Sequence, residues 1–445
     1  MFLVCALLLL LILGNVAGLG TMSSSSSSSI EDAAHALEPW LVDVRRTFHR
    51  MPELMFEEHY TSAHIRKLLD ELDIPYKYPV AKTGIVATIG TGAKPVVALR
   101  SDIDALPILE ETGVEYKSEN PGRMHACGHD AHMSMLLGAA RLLKDRESEL
   151  NGTVKLIFQP AEEGGAGGDI MIKEGALDGV DAAFGMHVWP TQPTGTVHTK
   201  KGTIMAGSLV FKATFAGAGG HGAMPHLTRD PVVAASAAVI ALQSVVGRNV
   251  SPFSEAVVSV TRQWTEEEGS IGAFNVIPHY AHIGGTVRAT TDAGMELVRR
   301  RVEAIVENQA KAMGCAGSVD WMEDKHPYYP PVVNDEAAAR FVASVASSVY
   351  GSDRVDGDTE ATMAGEDFSF ITQKVPSAFI FLGIRNETAG SVHGLHTAKF
   401  TMDESALKQG AALHTHLAIN YLNNGFEARS AATAGAADGE RREEL

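Results

Sequence analysis

Short apolar segments of strand length alternate along this chain with segments of helical periodicity, and this alternation limits the choice of fold. Apolar residues recur at helical spacing in 31–70, 131–143 and 335–350. Apolar runs of strand length lie at 96–99, 154–158, 182–186 and 378–383. Strands that alternate with helices form α/β domains, in which helices flank a buried and mainly parallel sheet. We therefore predict an α/β fold whose larger domain has a largely parallel sheet flanked by helices.

One stretch of the chain departs from this alternation and has the order of a separate unit. Between 203 and 316 the predicted order is strand, helix, strand, strand, helix, which is typical of a compact α+β unit. We predict that this smaller α+β domain is inserted into the larger one and divides it into residues 31–202 and 317–424.

Both ends of the chain are predicted to lie outside these domains. Residues 1–20 contain an apolar run with the length of a signal-peptide core, followed by small residues that suit cleavage. The basic residues that usually precede such a run are missing, so a signal anchor is the alternative. Residues 21–30 form a serine-rich linker and residues 425–445 a small, polar tail, and we expect both to be flexible.

A signal peptide predicts entry into the secretory pathway. Three Asn-x-Ser/Thr sequons, at Asn151, Asn249 and Asn386, are then candidate glycosylation sites. The final Arg442-Glu443-Glu444-Leu445 is similar to a KDEL-type retrieval signal but lacks its aspartate. We expect a protein of the endoplasmic reticulum lumen, with secretion or a vacuole as alternatives.

Composition excludes one class of partner and one kind of scaffold. The net charge is −17 and no basic block occurs, which argues against a nucleic-acid partner. Of three cysteines, Cys5 lies in the signal peptide, and Cys127 and Cys315 are too few for a disulfide framework in 445 residues. The presence of Cys127 therefore needs an explanation other than a disulfide framework.

We expect no stable membrane span in the mature chain.

Chemically active side chains follow the predicted strands directly. They are Asp102 and Asp104, Glu162 and Glu163, His187, and, one short loop later, His396. In open α/β sheets, ligands bind at the carboxyl ends of the strands. A solvated turn is the simpler interpretation of any one of these positions, but their recurrence favours a binding site.

Cys127 and His129 stand at the start of the predicted helix at 131–143, where the helix dipole favours a thiolate. Sulfur, imidazole and carboxylate together suit borderline divalent cations such as Zn²⁺, Mn²⁺ or Ni²⁺. Five such ligands exceed what one tetrahedral zinc ion needs, which suggests two metal ions. Taken singly, a buried cysteine is more often a small hydrophobe.

Five motifs together resemble one enzyme family. They are MHACGHDAHM at 124–133, QPAEEG at 159–164, MHVWP at 186–190, GEDFS at 365–369 and LH at 395–396. From about residue 35 to 422 the chain is similar to the aminoacylase and hippurate-hydrolase branch of the dinuclear metallopeptidases. Within that branch it most resembles the plant-type hydrolases of auxin–amino-acid conjugates.

The resemblance implies a catalytic role for the larger domain and a role for each motif residue. The implied ligands of two divalent metal ions are Cys127, His129, Glu163, His187 and His396. Glu162 is the implied general base, and Asp104 matches an acid that orients a ligand. Other branches carry a histidine at the position of Asp102, so Asp102 is not counted as a ligand.

The resemblance also implies that the inserted domain is a lid that closes over the substrate. His221 matches a histidine that supports the tetrahedral oxyanion, often across a dimer interface. Asn275 and Arg288 match positions that bind the carboxylate end of the substrate, for which the planar fork of arginine is suited. An exposed edge of the lid sheet would suit pairing with a second copy, so a homodimer through the lid is expected.

The implied reaction is metal-dependent hydrolysis of an N-acyl amino acid, most specifically an indole-3-acetyl conjugate. We expect Mn²⁺ in the site, with Zn²⁺ or others as alternatives. A dipeptidase or general aminoacylase of the same family is the first alternative. A non-catalytic binding protein is the second, although such a protein is expected to lose the base or a ligand, and this chain keeps all six.

Overall fold

The computed structural model describes residues 29–265 and 272–427. The predicted signal peptide at 1–20, most of the serine-rich linker and nearly all of the C-terminal tail, including the final four residues, lie outside the described residues. Within the described ranges, none of the helices combines the length and the apolarity that crossing a bilayer requires.

The first part of the larger domain contains five helices and seven strands among the described residues. They are α1 (Ile30–Ala36), α2 (Glu38–Arg50), α3 (His59–Glu71), β1 (Tyr76–Val80), β2 (Gly84–Gly90), β3 (Val96–Asp102), α4 (His129–Lys144), β4 (Thr153–Gln159), α5 (Gly167–Lys173), β5 (Ala182–Pro193), β6 (Val197–His198) and β7 (Gly202–Met205).

The inserted domain and the second part of the larger domain follow. The inserted domain contains β8 (Gly207–Ala216), β9 (Gly220–His221), α6 (Pro231–Leu242), β10 (Ala256–Thr265), β11 (Val276–Ile277), β12 (Tyr280–Ala289), α7 (Asp292–Ala312) and β13 (Ala316–Asp320). The second part contains β14 (Val332–Asn334), α8 (Glu336–Tyr350), β15 (Val355–Asp356), α9 (Ser369–Thr372), β16 (Ser377–Arg385) and α10 (Ala406–Asn424).

An eight-stranded sheet in the order β1-β2-β4-β3-β5-β16-β6-β15 forms the centre of the larger domain. Its four middle strands, β4-β3-β5-β16, are parallel, and β2 and β1 continue one edge in antiparallel pairing. Every residue of β3 is buried, as expected for a strand covered on both faces. The predicted α/β fold with a largely parallel sheet is confirmed.

Helix α4 carries two of the predicted ligands at its start. Its N-cap, Gly128, has a φ of +88°, in the left-handed region that side chains disfavour. A Cβ atom at this position would lie 2.4 Å from the side chain of Val188. Glycine is therefore required for the sharp turn that separates Cys127 from His129 and directs both towards His187.

The inserted domain has its own core. Its antiparallel sheet has the order β10-β12-β8-β13, and α6 and α7 pack on it and on each other. The sequence pattern ends this domain at 316 and assigns 318–322 to the larger domain, whereas Ala316–Asp320 pairs along β8. The chain therefore returns to the larger domain only after Asp320. The alternating exposure of β13 is that of an edge strand. The local sequence does not specify which strand such an edge strand pairs with.

Candidate metal centre

The predicted ligands come from four places along one edge of the central sheet. Cys127 and His129 flank Gly128, the N-cap of α4, while Glu163 follows β4 and His396 lies in the loop after β16. The sequence pattern places His187 just after a strand, but β5 continues to Pro193 because it pairs with β16 beyond that point. His187 therefore projects from within a strand.

These five side chains form one cluster, in which neighbouring ligand atoms lie 3.2–3.9 Å apart. Cys127 Sγ is 3.4 Å from His187 Nε2 and 3.2 Å from His396 Nε2. Glu163 Oε1 lies 3.3 Å from His396 Nε2 and 3.9 Å from His129 Nε2. The arrangement forms overlapping groups of three ligand atoms within 4.8 Å, and Cys127 belongs to two of them.

Two atoms in this cluster show that its chemistry fits divalent cations. His129 Nε2 and Glu163 Oε1 are buried and have no hydrogen-bond partner among the described residues. An unpaired buried acceptor is costly unless a cation or donor satisfies it. Sulfur, imidazole and carboxylate are the donor types of borderline metal ions, so the cluster supports binding of two divalent cations.

Backbone carbonyl groups fix the orientation of two of the imidazoles. His129 Nδ1 donates a hydrogen bond to the Asp104 carbonyl at 2.9 Å, and His187 Nδ1 donates to the Val188 carbonyl at 2.7 Å. Because Nδ1 carries the proton in each ring, Nε2 presents its lone pair to the cluster. Both rings are thus prepared to act as ligands through Nε2.

Asp104 holds the loop that carries the paired glutamates. Its two carboxylate oxygens accept the backbone N–H groups of Glu162 and Glu163, each at 3.0 Å. Its Oδ1 also lies 3.4 Å from His129 Nδ1. Asp104 therefore contacts none of the atoms that point towards the metal sites. It orients the residues that carry those atoms.

Asp102 is buried beside the cluster and is paired elsewhere. Its carboxylate lies 2.6 Å from His132 Nδ1 and 2.8 Å from Arg100 Nη1. Burial opposes its ionisation, but His129, His132 and Arg100 hold the pKa of Asp102 well below its usual range. Within the cluster, Asp102 Oδ2 lies 3.6 Å from His129 Nε2.

The pKa of the Cys127 thiol is raised, whereas its position at a helix start predicts a lowered one. A helix start is expected to lower the pKa of Cys127, but burial, together with the charges of Glu163 and Glu162, raises it well above its usual value. Burial and the nearby Glu366 likewise raise the pKa of Glu162 well above its usual range. The short-range acids outweigh the helix dipole because the thiol lies in a low-dielectric site. A bound cation would supply the charge that favours the thiolate.

A cleft of about 600 Å³ opens beside the cluster between the two domains. Its apolar lining comes from Trp189, Met205, Val257, Met363 and Leu395. Arg288 also lines this cleft, and its Nη1 donates to the Met363 carbonyl at 2.9 Å. A larger groove of about 960 Å³ lies on the inserted sheet and contains none of the cluster residues, so volume alone does not locate the chemistry.

The other two predicted site residues lie away from the cluster. His221 is exposed on β9, where it pairs with Val276 of β11. Asn275 directly precedes that strand and is also exposed. Neither lines the cleft of its own chain.

Three buried residues of the site are absent from the set that the sequence predicts. Glu58 accepts the N–H of Ala161 at 3.0 Å, and the Tyr329 hydroxyl donates to the Glu162 carbonyl at 2.7 Å. Glu366 is paired with Arg100 at 2.9 Å and lines the cleft. Only Glu366 belongs to a motif, GEDFS, that could have pointed to it.

Comparison with known proteins gives a consistent set of relatives. The family described as Peptidase family M20/M25/M40 matches residues 98–420. The IAA-amino acid hydrolase ILR1-like 4 of Arabidopsis thaliana is 44% identical over 383 residues, which cover 86% of each chain. The N-acetyl-L-cysteine deacetylase of Bacillus subtilis is 39% identical over 394 residues, which cover 88% of this chain and 91% of that protein.

A solved structure supports the same relationship. The Bacillus subtilis YXEP protein, described as a dinuclear metal binding peptidase from the M20 family, superimposes with a TM-score of 0.74 at 35% identity. The match covers 87% of this chain and 99% of that one. The similarity therefore extends over both domains.

Proposed function

The chain belongs to peptidase family M20/M25/M40 and is a metallo-hydrolase of amide bonds, and from this we propose that its substrates are N-acyl amino acids. The observation that carries the proposal is the position of Glu162. It is a buried carboxylate whose neighbour, Glu163, joins the ligand cluster, and it lines the same cleft as Arg288.

In this proposal each group of the cleft has a distinct task. Bound divalent cations would lower the pKa of a water molecule and polarise the scissile carbonyl. Glu162 accepts the proton of the attacking water and delivers it to the leaving amine. Arg288 pairs with the substrate carboxylate through its planar fork. Together these groups hold both ends of an acyl amino acid.

We propose that the preferred acyl group is aromatic, and specifically indole-3-acetyl. The apolar side chains of Trp189 and Leu395 and the thioethers of Met205 and Met363 line the cleft, and such side chains suit a flat aromatic ring. The Arabidopsis relatives named as IAA-amino acid hydrolases support this acyl group, whereas the deacetylase relatives support a smaller one. We propose Mn²⁺ as the metal ion.

A substrate panel tests this proposal. The protein is freed of metal with a chelator, reconstituted with Mn²⁺ or Zn²⁺, and assayed on indole-3-acetyl-alanine, hippurate, N-acetyl-alanine and alanyl-alanine. We expect the highest kcat/KM for the indole conjugate with Mn²⁺, and no turnover with chelator. Faster cleavage of the dipeptide would replace the proposal with a dipeptidase. No cleavage of any substrate with either metal would favour a binding protein.

We also propose that the chain passes through the secretory pathway. Of the three sequons, Asn151 is exposed, whereas Asn249 and Asn386 are half-buried. Asn386 Nδ2 donates to Asp403 at 2.6 Å and Asn151 Nδ2 donates to Asn423 at 2.7 Å, so exposure, and not hydrogen bonding, makes Asn151 the most accessible of the three. Expression in a eukaryotic secretory host, followed by glycosidase treatment and mass spectrometry, should show a glycan at Asn151 first. Absence of any glycan would count against this route.

A further inference from the structure

The loop that carries the paired glutamates has an unfavourable backbone conformation. Between β4 and α5, Ala161 and Ala166 have φ values of +56° and +50°. Residues with a Cβ rarely adopt this left-handed region. Such a conformation persists only where surrounding contacts impose it, so the contacts of the loop determine where Glu162 and Glu163 point.

A single hydroxyl group makes three of these contacts. Tyr329 Oη donates to the Glu162 carbonyl at 2.7 Å and accepts the N–H groups of Gly164 at 3.1 Å and Ala166 at 2.9 Å. Tyr329 is buried, and burial, together with the charges of Asp367 and Glu162, raises the pKa of its hydroxyl. The phenol therefore stays protonated and keeps its donor.

The peptide group between the two glutamates is held at both of its polar atoms. Its carbonyl oxygen, from Glu162, accepts from Tyr329, while its N–H, from Glu163, donates to Asp104 at 3.0 Å. The rotation of this peptide plane sets the relative directions of the two neighbouring side chains. Tyr329 and Asp104 together thus fix the directions of the two carboxylates relative to each other.

Tyr329 also lies where the inserted domain joins the larger one. Its N–H and carbonyl pair with the carbonyl and N–H of Ser208 at 3.1 and 2.8 Å, next to the start of β8. We propose that Tyr329 is a positioning residue, which holds the Glu162–Glu163 peptide from the domain junction and so keeps the two acids in separate roles. This inference rests on the proposed function, in which those roles are base and ligand.

Tyr329→Phe tests the role because it removes only the hydroxyl group, and Tyr328→Phe is its matched control. Tyr328 is the adjacent tyrosine, but its hydroxyl donates to Asp292 of the inserted domain. For Tyr329→Phe with saturating metal we expect kcat to fall about 10- to 100-fold while KM changes less than about threefold, since misplacement of about 1 Å has costs of this size. Tyr328→Phe should keep both constants within about twofold of the wild type.

Hydrogen exchange provides a measurement that does not depend on turnover. The amides of Gly164 and Ala166 lose their acceptor in Tyr329→Phe, so we expect the peptide that contains 161–167 to exchange at least about tenfold faster than in the wild type or Tyr328→Phe. Unfolding temperature and circular dichroism establish that each variant is folded. Unchanged exchange together with unchanged kcat would overturn the inference.

Failure of the proposed function and failure of the role of Tyr329 can be distinguished. If the wild-type protein cleaves no acyl amino acid, the proposed function fails, but faster loop exchange in Tyr329→Phe and weaker Mn²⁺ binding by titration would still support positioning by Tyr329. If the wild type is active and Tyr329→Phe matches it in kcat, exchange and Mn²⁺ affinity, the proposed function stands and the role of Tyr329 is refuted.

Discussion

At the scale of single residues, the paired glutamates differ through their surroundings and not through their chemistry. Glu162 is buried near Glu366 and Asp367, and all three acids lie within 4.8 Å of one another. Burial and these acids raise the pKa of Glu162. Glu163 faces His396 and His129 instead. In the proposed function, this difference in environment separates the proton carrier, Glu162, from the ligand, Glu163.

Substitution of either acid should separate these roles. In Glu162→Gln we expect kcat to fall by about 100- to 10,000-fold, the usual contribution of a general base, while two metal ions remain bound. Glu163→Gln should instead weaken metal binding. Kinetic assays and metal analysis by mass spectrometry check both. Activity of Glu162→Gln near that of the wild type would disprove the assignment of the base.

Glu58 provides a test by pH. Burial, followed by the charge of Asp104, raises its pKa to about 7, compared with about 4.3 in an unfolded chain. Between these two pKa values the folded protein therefore holds a proton on Glu58 that the unfolded chain has released. The stabilisation from this proton is complete below the pKa of Glu58 in the unfolded chain and is lost as the pH rises through 7.

Glu58→Gln should remove this dependence. Between pH 6 and 8.5 we expect the metal-free wild type to lose about 1 kcal/mol relative to the variant. Denaturant unfolding of both chelator-treated proteins across this range checks the result. Parallel stability curves would show that Glu58 does not titrate in this range.

At the scale of elements, local patterns located the site but not its supports. The segments at 96–99 and 154–158 are parts of β3 and β4, because buried runs that end in polar residues are visible locally. The extents of β5 and β13 depend on remote pairing with β16 and β8, which no local pattern contains. Tyr329 likewise acts on Gly164, 165 positions away, through a hydroxyl that any tyrosine carries.

The two-stranded sheet of β9 and β11 exposes His221 beside Val276, and further apolar side chains of the inserted domain are exposed as well. Phe274 is fully exposed, and Leu227 and Val276 are also exposed. Exposed apolar groups of this kind indicate a surface that a partner covers. We propose that a second copy covers it, and that His221 reaches the cleft of that copy.

Mixed dimers test this arrangement. Glu162→Gln and His221→Ala should each be nearly inactive alone. After unfolding and refolding together in equal amounts, half of the dimers are mixed and each contains one intact site, so we expect about one quarter of wild-type activity. No recovery, in a mixture shown by native mass spectrometry to contain mixed dimers, would place His221 in its own cleft or outside the reaction.

At the scale of the whole molecule, the ligand cluster connects two parts of the chain that the inserted domain separates. Cys127, His129, Glu163 and His187 precede that domain, and His396 follows it. Cations bound by this set of ligands would stabilise only the folded state, because the unfolded chain does not hold these groups together.

Metal removal should therefore lower thermal stability. With free Mn²⁺ at about 100 times its Kd, we expect about 2.7 kcal/mol of stabilisation over the chelated protein for each bound ion, seen as a higher melting temperature in differential scanning fluorimetry. His396→Ala should show a smaller gain, whereas His416→Ala, at a surface ion pair with Glu31, should respond as the wild type does. Equal melting temperatures with and without Mn²⁺ would contradict a site that links the two parts.

The 269 positions between Cys127 and His396 also have a consequence for biosynthesis. At about 5–20 residues per second, a ribosome needs roughly 15 to 50 seconds to reach the histidine after it has made the cysteine. Once His187 has been made, the nascent chain contains four of the five ligands, and it has no complete site until His396 follows. If all five residues bind the ions, a complete site can form only after His396 has been made, and a product truncated before His396 would lack the stabilisation that metal binding gives.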